Sequence, residues 1–504
     1  MLNKLIALLT LAILIAACQA TPDSTEVIIP PTSQAITTTE AQPNENTQPS
    51  SSDPQSPTIY FGQTNCTDDG SGTLDEPFCD FDMAVSRLQP GDTLVILDRV
   101  YNGRYTIENL HGSPDAPITI RGQSRKHTTF DGGCPHFPCP MNEIELATGE
   151  DDETGLINLL DSQHIILHDL TIQNSIGAGL SVNGGTDITV QDTTITGISN
   201  PGLLVQNVNK LAVLGNDISY ATMGYLDEND NLQIGAHEAL SVLASNDFEV
   251  AYNHVHDSPK EGIDIKESST NGIVHNNHIE RTCLVALYIN EAHHVTVQHN
   301  QIHHAGYFLN GEATTPTTCD KHPIFGSFYD NYYGNGIQLT VGDLGDRSQG
   351  ALSNINVTHN TVWDVMGNGL EFWDELRESR QGEGEMVDNL VANNVFYNTQ
   401  LGGIRLQDVG SSTIVNNILA LNEEDGITGD HQTDNTISHN LFFSKHDWQE
   451  TSGNDAILAD PLFVDAENGD FHLHPTSPAI DTGIDWGIDY IGAAPDIGAF
   501  EFEQ

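Results

Sequence analysis

Cations are scarce in this chain: 17 Lys and Arg stand against 71 Asp and Glu in 504 residues, a formal charge of −54. A surface of that sign repels a phosphate backbone, which argues against nucleic-acid binding. It stays soluble at high salt and gathers divalent cations, so it fits a saline habitat or ordinary extracellular acidity equally. Aromatic residues make up 7% of the chain. Residues 19–57 hold almost none of them and are rich in Thr, Pro, Ser, Gln and Glu, too polar to bury a core. Cysteines number seven, and no paired CxxC spacing occurs among them, which argues against a thiolate metal site. Long apolar runs are also missing. The one candidate, residues 5–17 behind Lys4, is too short to span a bilayer and reads as a secretory signal.

What the chain does have is a repeat. Ala-Leu-Ser-Val (239–242), Gly-Ile-Asp-Ile (262–265) and Ala-Leu-Tyr-Ile (286–289) are copies of one unit, each followed by a second apolar alternation and then by Asn253, Asn277 or Asn300. These asparagines lie 24 and 23 residues apart, and the column continues at Asn216, Asn360, Asn394, Asn417 and Asn440. A fixed period built from short period-two strands predicts an all-β solenoid, a parallel β-helix, as one elongated domain. Asparagine at one turn of every coil suits a stacked amide ladder. Gly155, Gly179, Gly202, Gly262, Gly336, Gly369, Gly403 and Gly426 open most coils, where a tight turn is expected.

Two resemblances refine this. Ile15-Ala16-Ala17-Cys18 resembles the lipobox of bacterial lipoproteins, which implies cleavage before Cys18, a lipid on its sulfur and a protein held at the outer face of a membrane or the cell surface. Residues 1–18 are then the signal and 19–57 a disordered tether. The motifs Tyr60-Phe61-Gly62, Gly70-Ser71-Gly72-Thr73, Pro90-Gly91-Asp92-Thr93 and Ala116-Pro117-Ile118 resemble the amino-terminal cap of the right-handed parallel β-helix superfamily, which contains pectate-lyase-like enzymes. The motifs Asp460-Pro461-Leu462-Phe463 and Asp496-Ile497-Gly498-Ala499-Phe500 are similar to the carboxyl-terminal segments of such proteins. The expected layout is a cap with first coils at 58–150, coils with groove loops at 151–445 and a capping segment at 446–504. The resemblance implies a fold and not a substrate, since that superfamily holds lyases, hydrolases, epimerases and adhesins. Six cysteines remain after Cys18, and an even number in an exported chain predicts three disulfides. Closeness favours Cys66–Cys79 and Cys134–Cys139, leaving Cys283–Cys319 to pin a long loop.

In each first strand the two aliphatics point inward and the residue between them points out. One outward column reads Ser181, Leu204, Ser241, Asp264, Tyr288, Gln338, Glu371, Arg405, Thr428; the next reads Asn183, Gln206, Leu243, Lys266, Asn290, Thr340, Trp373, Gln407, Asp430. From Asp264 onward both are rich in groups that bind sugars or do chemistry. The repeat lengthens at 223–236, 307–334, 341–350 and 374–386, on both sides of this strand, as if to wall a groove. The loop 307–334 carries seven of the chain's 34 aromatics, suited to pyranose faces or to a small core of its own. Seven of the 17 cations, Lys260, Lys266, Lys321, Arg347, Arg377, Arg380 and Arg405, lie here too, which suits an anionic polysaccharide or plain neutralisation of neighbouring acids.

Glu238 and Glu261 hold one position in adjacent coils, about 4.8 Å apart by strand spacing, and near Asp264. Three acids so close suit a Ca²⁺, or else one is protonated or they splay apart. In β-helix polysaccharide lyases a calcium ion neutralises the uronate carboxylate and a lysine or arginine takes the C5 proton. By resemblance in residue types, Lys266 is the expected base, Tyr288 the proton donor and Arg405 a carboxylate holder. Asn290, Gln338, Glu371, Trp373, Gln407, Arg377 and Arg380 are expected to bind substrate. The base needs a lowered pKa, which three acids would raise unless a metal quenches them, and Lys266 as a surface ion pair is the alternative. A hydrolase would use two carboxylates about 5–5.5 or 6.5–9.5 Å apart, such as Glu238 with Glu261 or Asp264. A non-catalytic, glycan-binding adhesin is the third reading, and a monomer is expected in all three. His254, His256, His275, His278, His293, His294, His299, His303 and His304 spread over three coils and several columns, so most are read as polar turn residues, with a metal site the less favoured alternative.

Overall fold

The computed structural model describes residues 58–503 apart from 63–64, 68, 141–152, 228, 236, 310–314, 323–324, 327–333, 343–348, 379–383, 425 and 446–451. Cys18, the tether, Arg347, Arg380 and four loop aromatics (Phe328, Tyr329, Tyr332 and Tyr333) lie outside the described residues. No described helix is long and apolar enough to cross a membrane.

Each coil contributes three short strands. First strands such as Leu240–Leu243, Ile263–Lys266, Leu287–Asn290 and Ile337–Val341 stack in parallel register, and second strands such as Asn246–Ala251 and Thr270–His275 stack beside them. Both rows belong to a 24-stranded sheet, joined by the long strands Gly155–His168 and Ala178–Gln191, which run through both. Third strands such as His254–Ser258, His278–Thr282 and Gln301–His303 form a separate 13-stranded sheet. The period-two pattern explains the core. Ile263 and Ile265, Leu287 and Ile289, Val274, Val255 and Ile279 point inward and are fully buried in one continuous apolar column.

The asparagine column lies where the second strand turns into the third. Asn253 Nδ2 donates to Asn277 Oδ1 at 3.0 Å, and Asn277 Nδ2 donates to Asn300 Oδ1 at 3.0 Å. The ladder runs on through Asn360, Asn394 and Asn417 to Asn440. The opening glycines have a different cause from the turn expected of them. Gly262 is not in the left-handed region; a Cβ there would sit 2.5 Å from the Ala286 carbonyl oxygen of the next coil and 2.8 Å from Ile279 Cγ2. Gly155, Gly179, Gly202, Gly336, Gly369 and Gly403 are blocked in the same way by coil stacking, whereas Gly426 does sit in the left-handed region at φ 61°.

The short helix Phe81–Ser86, capped by Asp80 Oδ1 accepting from Met83 N at 2.8 Å, packs Phe81, Ala84 and Val85 into the first coils. The C-terminal segment, expected as a cap, lies along the side. Phe471, Leu473, Ala479 and Ile497 cover the outward residues Trp363, Val395, Ile418 and Leu441 of the third-strand sheet. Three disulfides join Cys66 to Cys79, Cys134 to Cys139 and Cys283 to Cys319.

Candidate functional site

Strand register builds the site. Asp264 stands opposite Ser241 on one side and Tyr288 on the other, and Lys266 opposite Leu243 and Asn290. The columns continue through Gln338, Glu371 and Arg405, and through Thr340 and Trp373. The coils therefore align as their sequences predict, but the columns are not an open floor. Asp264 and Ser241 are fully buried, and Lys266 is 8% exposed.

Four of the expected residues meet in one cluster. Lys266 Nζ lies 2.8 Å from Glu238 Oε2 and 2.8 Å from Asp264 Oδ2. Ser241 Oγ donates to Glu238 Oε2 at 2.9 Å. Lys260 Nζ stands between Glu238 (3.8 Å) and Glu261 (3.9 Å) and donates to the Gly235 and His237 carbonyls. Two lysines thus face three carboxyls. Asp264 Oδ1 and Glu261 Oε2 remain buried without a hydrogen-bond partner, and so does Asn290 Oδ1 beside them.

Burial pushes the Asp264 carboxyl well above the usual range; Lys266 opposes this, but the Glu238 charge adds to it. Burial also raises Glu238, yet Lys266 and Lys260 outweigh it and hold that carboxyl ionised, below its ordinary range. Lys266 would be lowered by burial alone, but the charges of Asp264 and Glu238 reverse the sign and raise it. The lowered pKa that a lysine base requires is therefore not a property of the clamped ammonium. Burial pushes the neighbouring Tyr288 hydroxyl well up, and Asn290 Nδ2 reaches its oxygen at 3.4 Å.

The remaining expected residues form a second group further along. Arg405 Nη1 donates to Glu371 Oε1 at 2.6 Å, and Asn335 Nδ2 donates to Glu371 Oε2 and Gln338 Oε1. Arg377 pairs with Asp408, Trp373 is half-buried, and Gln407 Oε1 is buried without a partner. Lys260, Lys266, Arg377 and Arg405 are all paired with this chain's own carboxylates, so their gathering does not by itself mark an anionic ligand. Of the loop aromatics, Phe308 and Phe325 pack with Cys283 and Cys319 in a small private core, which removes them from any sugar platform. Sequence reasoning missed Asn335 and placed Ser241 and Lys260 on this face without a role toward the acids; all three hold the acids in place.

The right-handed beta helix family model matches residues 155–379. Its fold is the right-handed parallel β-helix. YwoF of Bacillus subtilis (strain 168), an uncharacterized protein, is 25% identical to this β-helix over 477 residues, covering 82% of this chain and 90% of its own. The pectate lyase Pel9A superposes with a TM-score of 0.50 at 14% identity, over 89% of this chain and 97% of its own. A GH136 lacto-N-biosidase from Eubacterium ramulus gives 0.43 at 10% identity, over 80% of this chain and 68% of its own.

Proposed function

We propose that this β-helix is an exported polysaccharide lyase that breaks an anionic, uronate-bearing glycan by β-elimination. The observation that carries the reading is Lys266, a nearly buried ammonium set between two carboxyls on the outward column of the first strands. The fold shared with a pectate lyase supports it by analogy alone.

β-Elimination needs a base at the sugar C5 proton and an acid at the departing oxygen, with the uronate charge neutralised. Lys266, once released from Glu238 and Asp264, first gives up one proton to water, and its neutral Nζ amine then takes the C5 proton. The C5 electron pair forms the C4–C5 double bond as the C4–O bond breaks. Tyr288, kept protonated by burial and one coil beyond Asp264, gives its proton to the leaving oxygen. Arg405, turned from Glu371, holds a carboxylate of a neighbouring sugar. The donor set of Glu238, Glu261 and Asp264 is all oxygen, and its buried unpartnered atoms fit a Ca²⁺ once both lysines withdraw. Bound there, a calcium ion would neutralise the substrate carboxylate and lower the pKa of Lys266.

A hydrolase built on Glu238 and Asp264 has less support. Those carboxyls share one ammonium, each 2.8 Å from Lys266 Nζ, so the lysine and not a glycosidic bond occupies the space between them. The test is product analysis by mass after incubating the full chain with uronate polysaccharides. Unsaturated fragments, lighter by one water than hydrolysis products, are expected. Saturated fragments would replace the lyase with a hydrolase, and intact glycan bound stoichiometrically would leave a binding protein.

A further inference from the structure

Of the nine histidines only His299 and His304 lie at turns between strands. Several occupy the outward columns of the third-strand sheet, where the period-two pattern buries Val255, Ile279 and Ile302 and turns their neighbours outward. One column runs Asp217, His254, His278, Gln301, and the other runs Ser219, His256, Glu280, His303, Trp363. Residues a full coil apart in sequence are thus one strand spacing apart in space, about 4.8 Å.

We propose that His254, His278, His303 and Glu280 form a binding site for a zinc-class divalent transition ion. His254, His278 and Glu280 each offer an atom, all within 4.8 Å of one another. His254 Nε2 lies 3.1 Å from Glu280 Oε1. His303 Nε2 lies 2.9 Å from His278 Nε2 and 3.6 Å from Glu280 Oε2. Tetrahedral ligands at zinc bond lengths are separated by roughly 3.3 Å, so small side-chain shifts bring these four atoms onto one ion. Two imidazole Nε2 atoms facing each other can share only one proton between them, whereas a metal uses both lone pairs.

The outer partners suit this role. Asp217 Oδ2 faces the other ring nitrogen of His254 at 3.9 Å, and His304 Nδ1 lies 2.7 Å from His303 Nδ1. Such contacts fix which nitrogen is left for the metal. The His254 and His278 rings stack at 4.7 Å and 11°, and His303 packs on Trp363 at 4.5 Å, which holds the imidazoles in line. Arg281 holds Glu280 Oε2 and Asp257, so Glu280 ligates through Oε1 alone. His256 is turned to Asp257 at 2.6 Å and stands outside the set. Three nitrogens and one oxygen select zinc, copper, nickel or cobalt over calcium.

The experiment is zinc competition against a chromophoric chelator, using the full chain made without a histidine tag and stripped of metal. One tight zinc site is expected, and cobalt in its place should give the intense visible bands of a tetrahedral ion. His278→Asn and His303→Asn should each weaken that site more than 100-fold, beyond the roughly 10–100-fold of outer-sphere changes. Glu238→Gln, in the turn before the first strand Leu240–Leu243, should leave it unchanged. Circular dichroism confirms that the variants fold, and His254→Gln gives an independent third ligand change. The proposal is overturned if no tight zinc site exists, or if it survives in all three histidine variants, which would place the ion on other histidines.

Discussion

Replacing Asn277 with Ala tests the ladder that sets the coil register. Four hydrogen bonds disappear: Asn253 N and Nδ2 each donate to Asn277 Oδ1 at 3.0 Å, and Asn277 Nδ2 donates to Val250 O at 2.8 Å and to Asn300 Oδ1 at 3.0 Å. The losses are unequal. Asn253 Nδ2 keeps Val213 O, and Asn300 Oδ1 keeps the Asn277 amide. The Asn253 N–H and the Val250 carbonyl lose this partner in a buried place, at about 1–3 kcal/mol each, while the other two bonds cost nearer 0.5–1 kcal/mol. The sum is about 3–8 kcal/mol, readable as a lower urea midpoint. Asn277→Asp sharpens the test. Its second oxygen faces two acceptors, so the buried carboxyl binds its proton more tightly folded than unfolded. Its stability is then highest in acid and falls as pH rises through the folded pKa. A loss under about 1 kcal/mol for Asn277→Ala, or an Asp variant insensitive to pH, would refute the ladder's role.

Lys266→Met strands the Glu238 and Asp264 carboxyls and should cost about 3–5 kcal/mol in a urea melt, with much of that restored by adding Glu238→Gln. Replacing Cys283 and Cys319 with Ser opens a loop of 36-residue separation, for a loss of up to about 4 kcal/mol by chain entropy. Arg405→Ala should change stability by no more than about 1 kcal/mol, since Arg405 is partly exposed, while raising KM for an acidic glycan.

The fold was legible because its period is rigid. Asn253, Asn277 and Asn300 mark successive coils, and the aliphatic pairs around Asp264 and Tyr288 fix the register that the strands adopt. What lay beyond the sequence was the third dimension of each column. Nothing in Gly-Ile-Asp-Ile says that Asp264 is buried, or that Lys260 reaches across from the preceding turn to share Glu238. Gly262 read as a turn because the steric cause, the Ala286 carbonyl, belongs to another coil. The histidines misled for the same reason: spacing of about one coil looks like dispersal along the chain and is adjacency on the sheet. The side-on packing of the last segment depends on outward residues such as Val395 and Ile418, which a linear reading assigns to the core.

The central claim is that Lys266 is a base released by calcium. It is tested most directly by following ultraviolet absorbance as the full chain meets a panel of uronate polysaccharides, with Ca²⁺ and with chelator. A rise from unsaturated ends is expected that needs calcium and is lost in Lys266→Ala, with folding of that variant confirmed separately. No rise on any uronate, or a rise that persists in chelator or without Lys266, would contradict it.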